Sequence, residues 1–158
     1  MLFFIALLSD RVTKSWAVGT LSSGTVIPVI NNVLDFMYLE NHGAAFGILQ
    51  GKQTMFIIIT LLVTAAIVSY LVEAPTDKKN LTVNILLSLI AGGAIGNFID
   101  RITLKYVIDF IYFKPINWPV FNVADIYVSL GAVILAILVL FVYKDGDVAF
   151  LRDKRKEK

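Results

Sequence analysis

Four long apolar stretches, separated by polar breaks, dominate the pattern of this chain. The first runs from Leu2 to Leu8, is interrupted by Asp10, Arg11 and Lys14, and resumes through Leu21. The second, Thr54 to Val72, has 19 residues without a charge, enough to cross about 30 Å of hydrocarbon as a helix. The third is Leu81 to Ile99, also free of charge, and the fourth is Val123 to Tyr143, with Asp125 near its start. Gly24 to Gly51 differs in kind. Its β-prone runs, Val26 to Ile30 and Val33 to Leu39, are broken by Asn31 and Asn32, and the segment is too polar to span. The pattern predicts an all-α polytopic membrane protein with four transmembrane helices, over about 2–21, 54–72, 81–99 and 123–143. A small extracytoplasmic β-rich element is expected over about 24–51, a basic tail over 144–158, and one domain in all.

Composition strengthens the membrane reading. Hydrophobic residues make up 58% of the 158 and charged residues 16%, with mean hydropathy +0.78; soluble domains have about 25% charged residues. There is no cysteine, so disulfides, thiolate nucleophiles and cysteine metal sites are excluded. His42 is the single histidine and cannot build a histidine metal site, so no metal and no cofactor are expected. The net charge of +2 is too small to suggest nucleic acid. The placement of charge says more. Lys78, Lys79 and the six basic residues from Lys144 onward make eight positives on one side, against Lys52, Arg101, Lys105 and Lys114 on the other. The positive-inside rule then puts both termini in the cytoplasm. The first stretch lacks the basic leader of a signal peptide.

The candidate chemistry gathers between Gly92 and Asp125, where Asp100, Asp109 and Asp125 stand beside hydrocarbon. Acidic residues are expensive there and call for a reason. Asp109 lies in V-I-D-F-I-Y-F, an apolar context that favours a protonated carboxyl. Asp125 follows Asn122 by three at a helix start, so taken alone it reads as a capping residue. Taken with Asp109, across a returning loop, the two can meet and share a proton, as an aspartyl protease dyad does. Such a dyad hydrolyses a peptide bond without cysteine, serine or metal, and no H-E-x-x-H or G-x-S-x-G is present. Gly93, Asn97 and Arg101 stack at intervals of four; Asn97 needs a hydrogen-bond partner on a neighbouring helix or on a substrate. Asp100 beside Arg101 reads either as a charged helix end or as part of the site. Asp10 and Lys14, acid first and four apart, suit an ion pair on one helix face, either simply neutralised or supporting a site. A charge-relaying transporter is the alternative, disfavoured by four spans without an internal repeat.

Five ordered motifs carry a resemblance over essentially the whole chain: D-R-V-T-K (Asp10 to Lys14), N-H-G-A-A-F-G (Asn41 to Gly47), G-G-A-I-G-N-F-I-D-R (Gly92 to Arg101), V-I-D-F (Val107 to Phe110) and F-N-V-A-D (Phe121 to Asp125). Together they resemble the bacterial lipoprotein signal peptidases, or signal peptidase II. Arg11 departs from that pattern, which usually has glutamine there. The resemblance implies that Asp109 and Asp125 are the catalytic pair, and that Asn41, Gly93, Asn97, Arg101 and Asn122 line the site and hold the substrate main chain. It implies structural support from Asp10, Lys14 and Asp100. It further implies a membrane endopeptidase that cuts prolipoproteins on the amino side of a diacylglyceryl-modified cysteine, at the outer face of the bacterial cytoplasmic membrane. Inhibition by globomycin-type cyclic peptides and a monomeric chain are expected. Phe46, Trp118 and Phe121 are expected to cover the site, with the Gly24 to Gly51 element cradling the peptide.

Overall fold

The computed structural model describes residues 1–43, 53–75 and 80–142. The chain begins with α1 (Leu2–Leu21), then β1 (Ile27–Ile30) and β2 (Leu34–Asn41). Next come α2 (Gln53–Glu73), α3 (Leu81–Thr103), β3 (Val107–Phe113) and α4 (Val123–Ile137), which continues as a π-helical turn over Leu138–Val142. Among the described residues, Thr54–Glu73, Leu81–Thr103 and Val123–Val142 are long and apolar enough to cross a membrane. α1 is of similar length but carries Asp10, Arg11 and Lys14.

α3 is the central helix, packed against α1, α2 and α4. Small residues let it approach two neighbours closely. A Cβ at Gly92 would lie 2.8 Å from the Ala6 Cβ of α1, and one at Gly93 would lie 2.7 Å from the Ala124 carbonyl oxygen of α4. Four α3 residues at intervals of four, Asn84, Ser88, Gly92 and Gly96, divide in two. Gly92 and Gly96 face α1, while Asn84 donates to the Pro75 carbonyl at 2.9 Å and Ser88 to its own helix. α3 also runs beyond Ile99 through Asp100 and Arg101 to Thr103.

The sheet is antiparallel, in the order β1-β2-β3. β1 and β2 fall where the two β-prone runs predict strands. β3 does not: the sequence reading takes Val107 to Phe113 only as an apolar setting for Asp109 and expects no strand there. Its β-branched and aromatic residues pair with β2, Leu39 opposite Asp109 and Asn41 opposite Val107. Val107, Ile108, Phe110 and Ile111 are all buried. The sheet packs on the end of α1, where Ala17 and Leu21 meet Ile108, Phe110 and Ile111. Trp16 stacks edge-on against Phe36 at 5.3 Å and Phe110 at 6.0 Å, so it serves the sheet–helix junction. A second apolar cluster, Ile67, Ile90 and Ala91 with Phe3, joins α1, α2 and α3.

Candidate active site

β3 and the start of α4 are brought together by the chain between them. After turning at Asn117, which has φ of 49°, the backbone returns along β3. Phe121 N donates to the Ile111 carbonyl at 3.0 Å, and Ile111 N donates to the Phe121 carbonyl at 2.8 Å. This bridge sets Asn122 directly beside Asp109. Asn122 then caps α4. Its Oδ1 accepts from Asp125 N at 2.9 Å, while Asp125 Oδ2 accepts from Asn122 N at 3.2 Å, a reciprocal capping box.

Four amide donors meet the four oxygens of Asp109 and Asp125. Asn122 Nδ2 donates to Asp109 Oδ1 at 2.6 Å and Asn41 Nδ2 to Asp109 Oδ2 at 2.8 Å. Asn97 Nδ2 donates to Asp125 Oδ1 at 2.8 Å, and Asn122 N completes the set on Asp125 Oδ2. Asn122 Nδ2 also reaches Asn97 Oδ1 at 3.1 Å, linking the two carboxyl supports. Asp109 is 1% exposed. Burial, and next the charge of Asp125, push its carboxyl up to about 7; the hydrogen bonds from Asn41 and Asn122 act in the opposite direction.

Asp109 and Asp125 face a cleft of about 540 Å³, with Asn41 and Arg101 also on its wall. Arg101 sits over the Phe56 ring of α2 at 5.1 Å and donates to the Asn97 carbonyl at 3.4 Å. Trp118 and Phe121 supply aromatic wall; Phe46 lies outside the described residues. Asn97 and Asn122 stand behind the carboxyl groups, and Gly93 lies in the α3–α4 contact rather than on the cleft wall. Sequence reasoning overlooked Ser129 and Leu130, which extend the cleft along α4. Their positions one turn beyond Asp125 and Ile126 are the signal that would have found them.

Asp100 turns away from Arg101 and towards α1. It pairs with Arg11, lies 2.8 Å from Lys14 Nζ, and accepts from Ile108 N at 3.3 Å. Lys14 lies 3.0 Å from Asp10 Oδ2, and Asp10 Oδ1 accepts from Ala124 N, in the first turn of α4, at 3.2 Å. Asp10, Lys14 and Asp100 are fully buried, and with Arg11 they form a neutral group of four. Among the described residues no cluster of three or more histidine, cysteine or acidic residues suits a metal ion.

Apolar helices of membrane-crossing length, a small sheet over one end and a carboxyl-lined cleft at their junction define a membrane protein with a polar site at one end of its helices. Two solved structures share the fold, each described as a bacterial membrane enzyme structure by the in meso method. One, at 2.3 Å resolution, aligns with a TM-score of 0.74 and 34% identity over 99% of this chain and 89% of its own. The other, at 1.9 Å, aligns with a TM-score of 0.77 and 34% identity over 90% of this chain and 92% of its own. The family model described as Signal peptidase (SPase) II matches residues 2–141. The lipoprotein signal peptidase of Clostridium tetani is 45% identical over 89% of this chain and 90% of its own length. That of Clostridium novyi is 41% identical over 89% and 95%. The chain therefore belongs to the signal peptidase II family of membrane proteases.

Proposed function

We propose that the protein is an aspartic endopeptidase that removes signal peptides from diacylglyceryl-modified prolipoproteins, cutting on the amino side of the lipidated cysteine. The observation that carries this reading is the pair of carboxyl groups in one cleft, each of their four oxygens met by an amide donor. Such a pair holds one proton near neutral pH, because two adjacent charges in a buried site are costly. The ionised member takes a proton from water as that water attacks the scissile carbonyl carbon. The protonated member gives its proton to the carbonyl oxygen. When the tetrahedral intermediate collapses, the carbon–nitrogen bond breaks and the leaving amine receives a proton from the pair. Asn97 and Asn122 hold the carboxyl groups in place, and Asn41 and Arg101 offer donors to the substrate main chain. Gly93 contributes by letting α4 approach α3.

The reading includes a membrane placement. α1 is the fourth span: its buried Asp10 and Lys14 face α3 and α4, so that these charges are kept from lipid. The chain is one monomeric domain in the bacterial cytoplasmic membrane with both termini cytoplasmic and the cleft at the outer face. Globomycin-type peptides compete for that cleft. Asp109→Asn and Asp125→Asn test the dyad directly. Each is expected to accumulate in the membrane and to cleave a lipidated precursor at least about 10³-fold more slowly. Near-normal activity in either purified variant contradicts the assignment.

A further inference from the structure

The buried charges between α1 and α3 lie outside the cleft, yet they reach the proposed dyad through one side chain. Lys14 Nζ donates to Asn97 Oδ1 at 2.6 Å. The same oxygen accepts from Asn122 Nδ2 at 3.1 Å. At the other end of the amide, Asn97 Nδ2 donates to Asp125 Oδ1 at 2.8 Å. This polarity is not interchangeable. An ammonium only donates and an ionised carboxylate only accepts. If the Asn97 amide turned over, its NH₂ would face the Lys14 ammonium and the Asn122 NH₂. Its oxygen would face the Asp125 carboxylate. Three attractive contacts would become repulsive ones.

We propose that Lys14 is a positioning residue for the peptidase reaction: by occupying Asn97 Oδ1, it fixes that amide in the orientation that presents a donor to Asp125. The inference rests on the reading of Asp109 and Asp125 as the catalytic pair. The surroundings hold Lys14 to this task. Asp10 and Asp100 flank its ammonium at 3.0 and 2.8 Å. Asp10 is anchored in turn by Ala124 N, and Asp100 by Arg11 and Ile108 N. α1, α3, β3 and α4 are thereby referenced to the same ammonium. Arg11 pairs with Asp100, so the two basic residues match the two acidic ones. Lys14 itself has no surface on the cleft. Its removal is therefore expected to slow the chemical step and leave substrate affinity largely intact.

A double-mutant cycle tests this on the purified full-length protein, with a fluorogenic prolipoprotein peptide carrying diacylglyceryl cysteine. All four members carry Asp10→Asn, which keeps the charge group neutral once Lys14 is removed. Lys14→Met is then introduced with Asn97 intact and with Asn97→Leu. A lost bond to a charged group corresponds to a factor of about 10 to 100. With Asn97 present, kcat is expected to fall by that factor while KM stays within about twofold. In the Asn97→Leu background the further loss is expected to be under about threefold. Equal losses in both backgrounds, or a loss carried by KM, overturn the proposal. If the Lys14→Met proteins do not accumulate, Asn97→Asp replaces them: it keeps a partner for Lys14 and removes the donor to Asp125. Inactivity with parental thermal stability is expected, and retained activity overturns the proposal. The dyad substitutions keep the two ideas separable. Inactive dyad variants with an additive cycle sink only the role given to Lys14.

Discussion

Asp109 is held among Val107, Ile108, Phe110 and Ile111, all buried, which is why its carboxyl stays protonated up to about 7. Catalysis by a proton-sharing pair requires one proton on the two groups. The rate is therefore expected to fall as pH rises through about 7, where that proton is lost. The hydrogen bond from Asn41 favours the ionised form and so lowers this value. Removing it in Asn41→Leu raises the value, and the alkaline limb of the kcat profile is expected to move to higher pH. A limb that stays put or moves down contradicts the role given to Asn41. The limb belongs to the pair, so the same shift is expected whichever carboxyl is assigned the proton.

At the scale of elements, the helix contacts depend on where side chains are missing. A Cβ at Gly93 meets the Ala124 backbone oxygen at 2.7 Å, and Ala124 immediately precedes Asp125 in α4. Gly93→Ala is expected to cost about 1–3 kcal/mol of stability and to lower activity with it, read from thermal unfolding in detergent. Gly19, within α1, has nothing within 4 Å of an added Cβ. Gly19→Ala is expected to be neutral or stabilising by up to about 1 kcal/mol. Equal losses at both positions would show that packing is not what Gly93 provides. The helices were readable from their charge-free runs, and α1 spans the stretch expected despite its three charges. Asp10 and Lys14 are fully buried and Arg11 is half-buried against Asp100, which the i, i+4 spacing of Asp10 and Lys14 suggests but the positions of Arg11 and Asp100 do not. β3 was not readable as a strand. Its partner β2 lies about 70 residues earlier in sequence, and no local pattern announces that pairing. Nor does spacing alone tell that Asn97 faces Asp125 rather than open cleft. That follows only from the crossing of α3 with α4.

The whole molecule is arranged so that one end of α3 meets everything the cleft needs: α1 through Asp100, β3 through the Ile108 amide, α4 through Asn97 and α2 through Arg101 over Phe56. This arrangement explains why carboxyl groups at a membrane boundary stay buried and hydrogen-bonded. The proposed four spans make a prediction about orientation: the loop holding Ser23 is expected outside and the basic residues after Lys144 inside. The chain has no cysteine, so single cysteines can report this cleanly. Ser23→Cys is expected to react with a membrane-impermeant maleimide in intact cells, and Lys156→Cys only after the membrane is opened. Labelling of both in intact cells would exclude the four-span arrangement.

The most direct test of the central claim is the product itself. The purified protein is incubated in lipid bicelles with a prolipoprotein carrying diacylglyceryl cysteine, and with the same chain unmodified. Mass spectrometry then locates the new amino terminus. The dyad account predicts cleavage at one bond, immediately before the lipidated cysteine, lost in Asp109→Asn and Asp125→Asn. Cleavage elsewhere, equal cleavage of the unmodified chain, or cleavage that survives either substitution would contradict it.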